Sequence, residues 1–361
     1  MQDFHRVLQA FGISTDNVSV TSFGTGLIHH TWKVIQPGRI FILQRINHHV
    51  FKQPEDIAYN LQIAGEHLHQ HFPDYPFVLP LKTMEGKNLL VDPVQGYYRL
   101  VPFIENSHAI DVVQTTVEAY EAANAFGIFA RMLSDFDCRQ LKITLPDFHN
   151  ISLRYRQFQE ASVEGNRARI QQAEAYIRYL QSQQAIVTTF EKLKRNHRFI
   201  VRATHHDTKI SNVLFNPSNK SICVIDLDTL MPGYFISDVG DMIRTYISPV
   251  SEEETDFEKI NVREEIFDAI VHGYMDAMHD ILTPEEKELF IYAGKFMIYM
   301  QALRFLTDHL QNDVYYGAQY EGHNFIRSGN QITLLQRLTE KEKLLQQIVN
   351  KRIEQGFKKY S

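Results

Sequence analysis

The stretch His205-His206-Asp207-Thr208-Lys209-Ile210-Ser211-Asn212-Val213-Leu214-Phe215-Asn216-Pro217-Ser218-Asn219-Lys220-Ser221-Ile222-Cys223-Val224-Ile225-Asp226-Leu227-Asp228 decides how this chain is read. Two short apolar runs, Val213–Phe215 and Ile222–Ile225, have the pattern of buried strands. Between them, Asn216–Lys220 is dense in turn formers. The pattern predicts an antiparallel hairpin centred near Ser218. In that register Asn212 faces Val224, and Asp226 is its diagonal neighbour on the same side. Diagonal partners lie ~7–8 Å apart by Cα, close enough for side chains to converge. A slip of one residue would turn one of the pair away.

Asn212 and Asp226 would then share one open end with the loop carrying Asp207. Carboxylates gathered there repel unless something neutralises them. Oxygen donors of this kind suit Mg²⁺, which takes one or two carboxylates and completes its shell with water and phosphate oxygens. His205 and His206 raise zinc as an alternative. Zinc needs converging His or Cys ligands, and Cys223, the nearest cysteine, lies inside a strand. Taken singly, each of these residues reads as an ordinary cap or turn residue.

The order His-x-Asp, Asn five residues on, then a hairpin to Ile-Asp-x-Asp resembles the core of protein-kinase-like folds. There H-R-D-x-x-x-x-N is followed by D-F-G. The missing Arg and missing D-F-G depart from protein kinases. They are similar to the aminoglycoside phosphotransferase and choline kinase superfamily, which phosphorylates small molecules. Other segments resemble the N-acetylhexosamine 1-kinases: Phe23–Trp32, Ile42–Asn47, Phe103–Asn106, Phe126–Phe129, Pro146–Asn150, Gly240–Thr245 and Leu303–Asp308.

The resemblance implies an α+β, protein-kinase-like bilobal fold. Residues 1–102 form a small β-rich nucleotide-binding lobe, and residues 103–361 a mainly helical lobe with the catalytic loop and acceptor site. It implies an ATP- and Mg²⁺-dependent kinase acting on the anomeric hydroxyl of an N-acetylhexosamine. The alternatives are another small acceptor (a different sugar, an amino alcohol or an aminoglycoside) and a silent nucleotide-binding pseudokinase. Asp207 maps onto the residue that orients the acceptor hydroxyl and accepts its proton. Asn212 and Asp226 map onto the Mg²⁺ ligands. Asp228 belongs to the metal shell or just behind it. His205 is expected to support the loop, and Asp238 or Asp241 to steady it.

Gly24-Thr25-Gly26 lies between two strand candidates, where kinases fold a loop over the phosphates and glycine lets backbone N–H groups approach. The segment Tyr98–Glu105, with Val101 and Phe103, occupies the adenine-binding hinge. On the third strand kinases place a phosphate-gripping lysine. Here Gln44 holds that position. Three explanations stand: a bulge presents Arg45, metal and backbone suffice, or Lys33 assists. The helix partner of that missing lysine is Glu55 or Glu66. Phe148, His149, Arg304, Asp308 and Tyr315 are the acceptor-site candidates. Arg304 and Asp308, spaced i,i+4, also read as a plain helix ion pair.

Composition sets outer bounds. With 361 residues, 44% of them hydrophobic, the chain can build two lobes around a sizeable core. Its 37 basic and 43 acidic residues leave a net charge of −6, so no basic footprint for nucleic acid is present. Positive charge for a nucleotide must therefore be local. Two cysteines, Cys138 and Cys223, fit a reducing cytoplasm and no disulfide framework. The N-terminus lacks the pattern of a signal peptide. The apolar run Phe296–Leu306 is broken by Gln301 and Arg304, so no membrane span is expected.

Strands are predicted over Val18–Phe23, Thr31–Ile35, Ile40–Arg45, Phe77–Lys82, Asn88–Val91 and Tyr97–Val101, with a helix over Pro54–His71. Beyond Pro102 the pattern turns helical. Helices are expected from Val112 onward and over Ser152–Phe158, Glu164–Arg195, Arg263–His279, Pro284–Asp308 and Thr333–Gly356, interrupted only by the opening hairpin. The acidic run Ser251–Lys259 reads as a solvated loop or helix start.

Overall fold

In the first hundred residues, β-branched and aromatic residues alternate with polar ones, and they assemble a five-stranded antiparallel sheet. The computed structural model describes residues 4–24 and 28–359. Helix α1 (His5–Ala10) precedes β1 (Ser19–Ser22), β2 (His30–Gln36) and β3 (Arg39–Ile46). Helix α2 (Pro54–His71) follows, then β4 (Leu90–Asp92) and β5 (Gly96–Pro102). The strand order is β1-β2-β3-β5-β4. Alternation sends Val34, Phe41, Leu43, Tyr98 and Leu100 to one face, where they form a small core with Val7, Leu8 and Phe11. The opposite face carries Thr31, Lys33, Ile42, Gln44, Arg99 and Val101, as the β2–β3 and β3–β5 pairings require.

Helix α2 has the predicted bounds, but Ile57, Leu61, Ala64 and Leu68 pack into the larger core, not the small one. Asn60, 1% exposed, fastens it there. Its Nδ2 donates to the carbonyls of Lys142 and Leu230, both at 2.9 Å, and its Oδ1 accepts from the Lys142 N–H at 2.8 Å. Glu55 and Glu66 face solvent, so neither serves as the expected partner of a strand cation. The segment Phe77–Lys82 is not a strand. Pro76 and Pro80 remove ladder donors, and the Leu81 N–H reaches the Leu100 carbonyl at 2.7 Å.

The helical part opens with α3 (Thr116–Met132), started by a capping box of Thr115 and Glu118. Helix α4 (Ile151–Glu164) comes next. Where one helix over Glu164–Arg195 was expected, three run in sequence: α5 (Arg167–Gln172), α6 (Glu174–Ser182) and α7 (Ala185–Leu193). Gly165 ends α4, and Asn166 caps α5 by accepting from the N–H groups of Ala168 and Arg169. The turns at Ala173 and Gln183 contain no breaker residue that the sequence would reveal.

Two ribbons follow. Strand β6 (Val201–Thr204) pairs with β9 (Met231–Tyr234), and between them β7 (Val213–Phe215) pairs with β8 (Ser221–Val224). The hairpin forms as expected, but its register differs by one residue. Val213, not Asn212, faces Val224, and a bulge between Leu214 and Phe215 absorbs the shift. Asn212 lies in a short 3-10 turn before β7, with its carbonyl accepting from the Ile225 N–H at 2.9 Å. Asp226 leaves β8 in a left-handed conformation, φ 60°. The two residues therefore share one end of the ribbon through turn geometry, not as diagonal neighbours on a strand face.

Helices α8 (Phe235–Tyr246), α9 (Glu264–Met278), α10 (Pro284–Lys287), α11 (Phe290–Leu310), α12 (His323–Glu340) and α13 (Glu342–Lys359) complete the chain. The expected Pro284–Asp308 helix is divided after a second capping box, Thr283 with Glu286. The larger core runs from Ile46 to Val349. Together the small sheet lobe and the mainly helical remainder form a bilobal α+β fold.

Helix α8 reaches its place because Gly240 lets it touch α11. A Cβ at Gly240 would stand 2.4 Å from the Ala293 carbonyl oxygen, which is backbone and cannot rotate away. Gly240→Ala gains ~1 kcal/mol of helix propensity. The overpacking loss of ~1–3 kcal/mol outweighs that gain at a rigid contact. The expected result is a lower denaturant midpoint with an unchanged slope, measured by urea unfolding.

Candidate active site

The loop after β6 is shaped by hydrogen bonds from helix α8. Asp238 accepts the N–H groups of His205 at 3.2 Å and His206 at 2.7 Å. Asp241 accepts the Thr208 N–H at 3.0 Å and is paired with Arg244. Both expected loop supports thus act. Burial raises the Asp238 carboxyl to about 7, against the pull of the two amides. His205 supports the loop as anticipated. Its Nδ1 accepts from the Asp207 N–H at 3.3 Å, so its Nε2 carries the proton and donates to the Ile225 carbonyl at 3.0 Å. Burial lowers its pKa, and the ring stands edge-on to Phe126.

With its neighbours pinned, Asp207 projects outward, its side chain 24% exposed. Its Oδ2 accepts from Asn212 Nδ2 at 3.1 Å, and Lys209 Nζ lies 3.4 Å from Oδ1. Asn212 Nδ2 also donates to the Asp207 carbonyl at 2.9 Å. Its amide nitrogen is thereby committed, and Oδ1 is left without a partner among the described residues. Asp226 opens to solvent at the cleft floor. Protein atoms packed around the carboxylate at the cleft floor, with the charges of Asp228 and Asp207 nearby, push its pKa up to about 6. Among the described residues its carboxylate has no hydrogen-bond or ion-pair partner. No group of three or more His, Cys, Asp and Glu side chains is placed to hold a metal among the described residues. Two oxygen donors, one a partnerless carboxylate, fit a hard cation that draws its other ligands from phosphate and water.

Asp228, grouped with Asp226 on sequence grounds, stands in a different setting. It is 2% exposed, and both oxygens are engaged. Arg99 grips it through Nη1 on Oδ1 and through Nη2 on Oδ2, the latter at 3.1 Å, and His29 Nε2 lies 2.7 Å from Oδ2. Burial alone would raise its pKa, but Arg99 and His29 prevail and lower it.

The sheet residues divide similarly. Gly24 has φ 77°, a left-handed conformation open to glycine, and no atom crowds its Cβ direction. Thr25 and Gly26 lie outside the described residues. Arg45 does not reach the cleft. Strand β3 pairs regularly through it, and its partner Tyr98 belongs to the small core on the far face. Lys33 lies on the cleft face, its Nζ 4.3 Å from the centroid of the Phe103 ring. Val101 pairs with Ile42 on that face, and both are half-buried. The Phe103 N–H is spent on the Ile40 carbonyl at 3.1 Å, so that donor is not available at the hinge.

The acceptor candidates are partly gathered. The Arg304 guanidinium lies 5.8 Å from the ring centroids of Phe148 and of Tyr315, and 5.3 Å from that of Tyr316. Among the described residues its polar contacts are Gln301 at 3.3 Å and the Tyr315 hydroxyl at 3.4 Å. His149 stacks on Phe148, and its ring centroid lies 5.3 Å from that of His206. Burial, then His206 and Arg304, holds it neutral, and its Nδ1 is buried without a partner. Asp308 does not belong to this group. It is buried and accepts from the N–H groups of Tyr315 at 2.7 Å and Tyr316 at 2.9 Å, and from Asn324 Nδ2 at 3.1 Å. It pins the loop that carries the tyrosines and makes no pair with Arg304.

A cavity of about 270 Å³ opens beside Asp207, lined also by Lys209, Arg244, Glu252, Asn330 and Gln331. Gln331 Oε1 is buried without a partner. Glu252 comes from the acidic run expected to be solvated, and it bridges Arg244 and Arg327. Arg327 stacks over Phe305 at 3.8 Å. Arg99, His29, Glu252 and Gln331 were not singled out by sequence reasoning. Only Arg99 carried a signal, as a charge between Tyr98 and Leu100 in an apolar strand.

Solved structures share this fold over most of their length. The microcompartment-associated aminopropanol kinase matches with a TM-score of 0.61 at 16% identity, covering 94% of this chain and 98% of its own. An aminoglycoside phosphotransferase from Alicyclobacillus acidocaldarius matches with a TM-score of 0.59 at 12% identity, over 93% of each chain. A spectinomycin phosphotransferase in complex with ADP and spectinomycin gives 0.57 at 14% identity, covering 93% of this chain and 97% of its own. At these identities the likeness is one of fold. The sequence itself matches the phosphotransferase enzyme family (APH) over residues 19–270, a span that contains β1 to β9 and the whole Asp207–Asp228 stretch, and the chain belongs to that family.

Proposed function

We propose that this phosphotransferase is an ATP- and Mg²⁺-dependent kinase that phosphorylates the anomeric hydroxyl of an N-acetylhexosamine. The observation that carries the reading is the placement of Asp207. It stands partly exposed at a small cavity, held by Asn212, with the partnerless Asp226 on the same cleft floor.

Phosphoryl transfer needs positioning more than covalent chemistry. The Asp207 carboxylate orients the acceptor hydroxyl and takes its proton as the oxygen attacks phosphorus. Asn212 holds that carboxylate in one rotamer, and Lys209 moderates its charge. Bound Mg²⁺ would be held by Asn212 Oδ1 and Asp226 and would neutralise charge developing on the phosphate oxygens. The donor's adenine fits the half-buried apolar strip of Ile42 and Val101, beside the Phe103 ring. The ADP bound by the spectinomycin phosphotransferase supports an adenine nucleotide as donor.

The acceptor side favours a small neutral ring. About 270 Å³ lies at the small end of ligand cavities. Arg304 has no carboxylate partner among the described residues, whereas Lys209 and Arg244 in the cavity wall are paired with Asp207 and Glu252. Hydroxyl and amide groups suit the Arg304 guanidinium, and the neighbouring faces of Phe148 and Tyr315 suit a sugar ring.

A coupled ADP-release assay over N-acetylhexosamines, other sugars, amino alcohols and aminoglycosides tests the acceptor. Turnover with N-acetylhexosamines and loss of the product's reducing end are expected. Turnover confined to another class overturns the acceptor. Mg-ATP binding with no turnover on any of them indicates a silent nucleotide-binding protein. Asp207→Asn is expected to lower kcat by ~10²-fold or more while ATP affinity stays near wild type. An unchanged kcat removes its role. Arg304→Gln is expected to raise the acceptor KM by about tenfold, as loss of a charge-assisted hydrogen bond requires, with the ATP KM unchanged.

A further inference from the structure

The absence of a strand-three lysine has a structural counterpart one strand away. Gln44 on β3 pairs directly with Arg99 on β5, and the two side chains share the cleft face. Arg99 Nε donates to Gln44 Oε1 at 2.8 Å, and Gln44 Nε2 donates to Thr31 Oγ1 at 3.3 Å. The guanidinium end closes on Asp228 of the other lobe. A lysine at position 44 would set two cations side by side, whereas glutamine gives the guanidinium an acceptor. His29 completes the grip. Its Nδ1 accepts the Asn47 N–H at 3.0 Å, so Nε2 carries the proton and donates to Asp228 Oδ2 at 2.7 Å as a neutral ring. Thr144 Oγ1 holds the Asp228 carbonyl at 2.7 Å.

We propose that Arg99, assisted by His29, is a positioning residue that replaces the strand-three lysine: it draws Asp228 to the sheet and so fixes the turn that aims Asp226 at the nucleotide. The inference rests on the reading of the cleft as a Mg-nucleotide site. Its content is electrostatic and geometric. Asp207, Asp226 and Asp228 crowd one region, and Arg99 cancels the charge of one of them. Asp226 holds φ 60°, which a residue with a side chain rarely adopts, and it must be kept there from both ends. On one side the Ile225 N–H is tied to the Asn212 carbonyl at 2.9 Å, and on the other Asp228 is tied to Arg99.

The test uses the full chain and two readouts, calorimetric titration with Mg-ATP and steady-state kinetics. Arg99→Gln is expected to weaken Mg-ATP binding at least tenfold and to raise the Mg²⁺ concentration for half-maximal rate, with the acceptor KM unchanged. The double variant Gln44→Lys, Arg99→Gln returns a cation to the same face and is expected to recover part of the lost affinity. If Arg99→Gln does not fold, Asp228→Asn breaks the same pair with its shape kept and is held to the same criteria. Wild-type Mg-ATP affinity in the broken-pair variant overturns the proposal. So does an equal loss toward ATP and acceptor that the double variant leaves unrepaired, since that is the mark of general damage. A wild-type chain that binds no Mg-ATP instead sinks the nucleotide reading itself.

Discussion

Everything at the cleft depends on two buried carboxylates that speak to backbone. Asp238 and Asp241 rise one turn apart from helix α8 and take the N–H groups of His205, His206 and Thr208. Hydrogen bonds to a charged acceptor are worth ~1.5–3 kcal/mol each. The same groups left unsatisfied in the interior would cost a comparable amount. The loop therefore has one arrangement, in which Thr208 Oγ1 donates to the Asp238 carbonyl at 2.6 Å and the Tyr246 hydroxyl donates to the Thr208 carbonyl at 2.6 Å. Asp207 is the residue this arrangement leaves facing out. Its position traces back through α8 to the glycine that seats the helix against α11, so a packing contact in the helical core sets the place of an exposed carboxylate.

Which features were legible in the sequence follows from their range. The His-x-Asp spacing, the hairpin and α2 are local, and their residues alone specify them. The hairpin register was legible only to within one residue, because a bulge leaves no strong mark when Asn216 and Asn219 both serve the turn. Arg304 and Asp308 show the limit of helix spacing. An i,i+4 pair reads as an ion pair, yet Asp308 turned to two N–H groups seven and eight residues on. Glu252 read as solvated because its run is acidic, and it was drawn inward by Arg244 and by Arg327, the latter 75 residues away. Gln44 announced that something was missing, but the replacement lay across a β-pairing whose register no single strand discloses.

The lobe boundary shows the same distinction. Pro102 ends the last strand of the sheet, where a proline has no N–H to extend a ladder. Packing does not divide there. Helix α2 is chained between two strands of the sheet, yet its apolar stripe and Asn60 belong to the helical part. The sheet and its small core are thus attached to the rest through α2, through the strand that ends at Pro102, and through the grip on Asp228.

That grip gives the cleft its electrostatic logic. The Asp207 loop, the end of the β7–β8 ribbon and helix α8 bring five aspartates together, and four have partners among the described residues: amides for Asp238, Arg244 for Asp241, Asn212 and Lys209 for Asp207, and Arg99 with His29 for Asp228. A carboxylate set among other carboxylates without a partner is costly, and its raised pKa expresses that cost. Of these five, Asp226 alone is in that condition among the described residues. Removing one member of the Arg99–Asp228 pair while the lobes stay closed would leave a buried charge unpaired, which is strongly destabilising. The ion pair that joins the lobes and the unpartnered carboxylate of Asp226 are therefore two parts of one arrangement of charge.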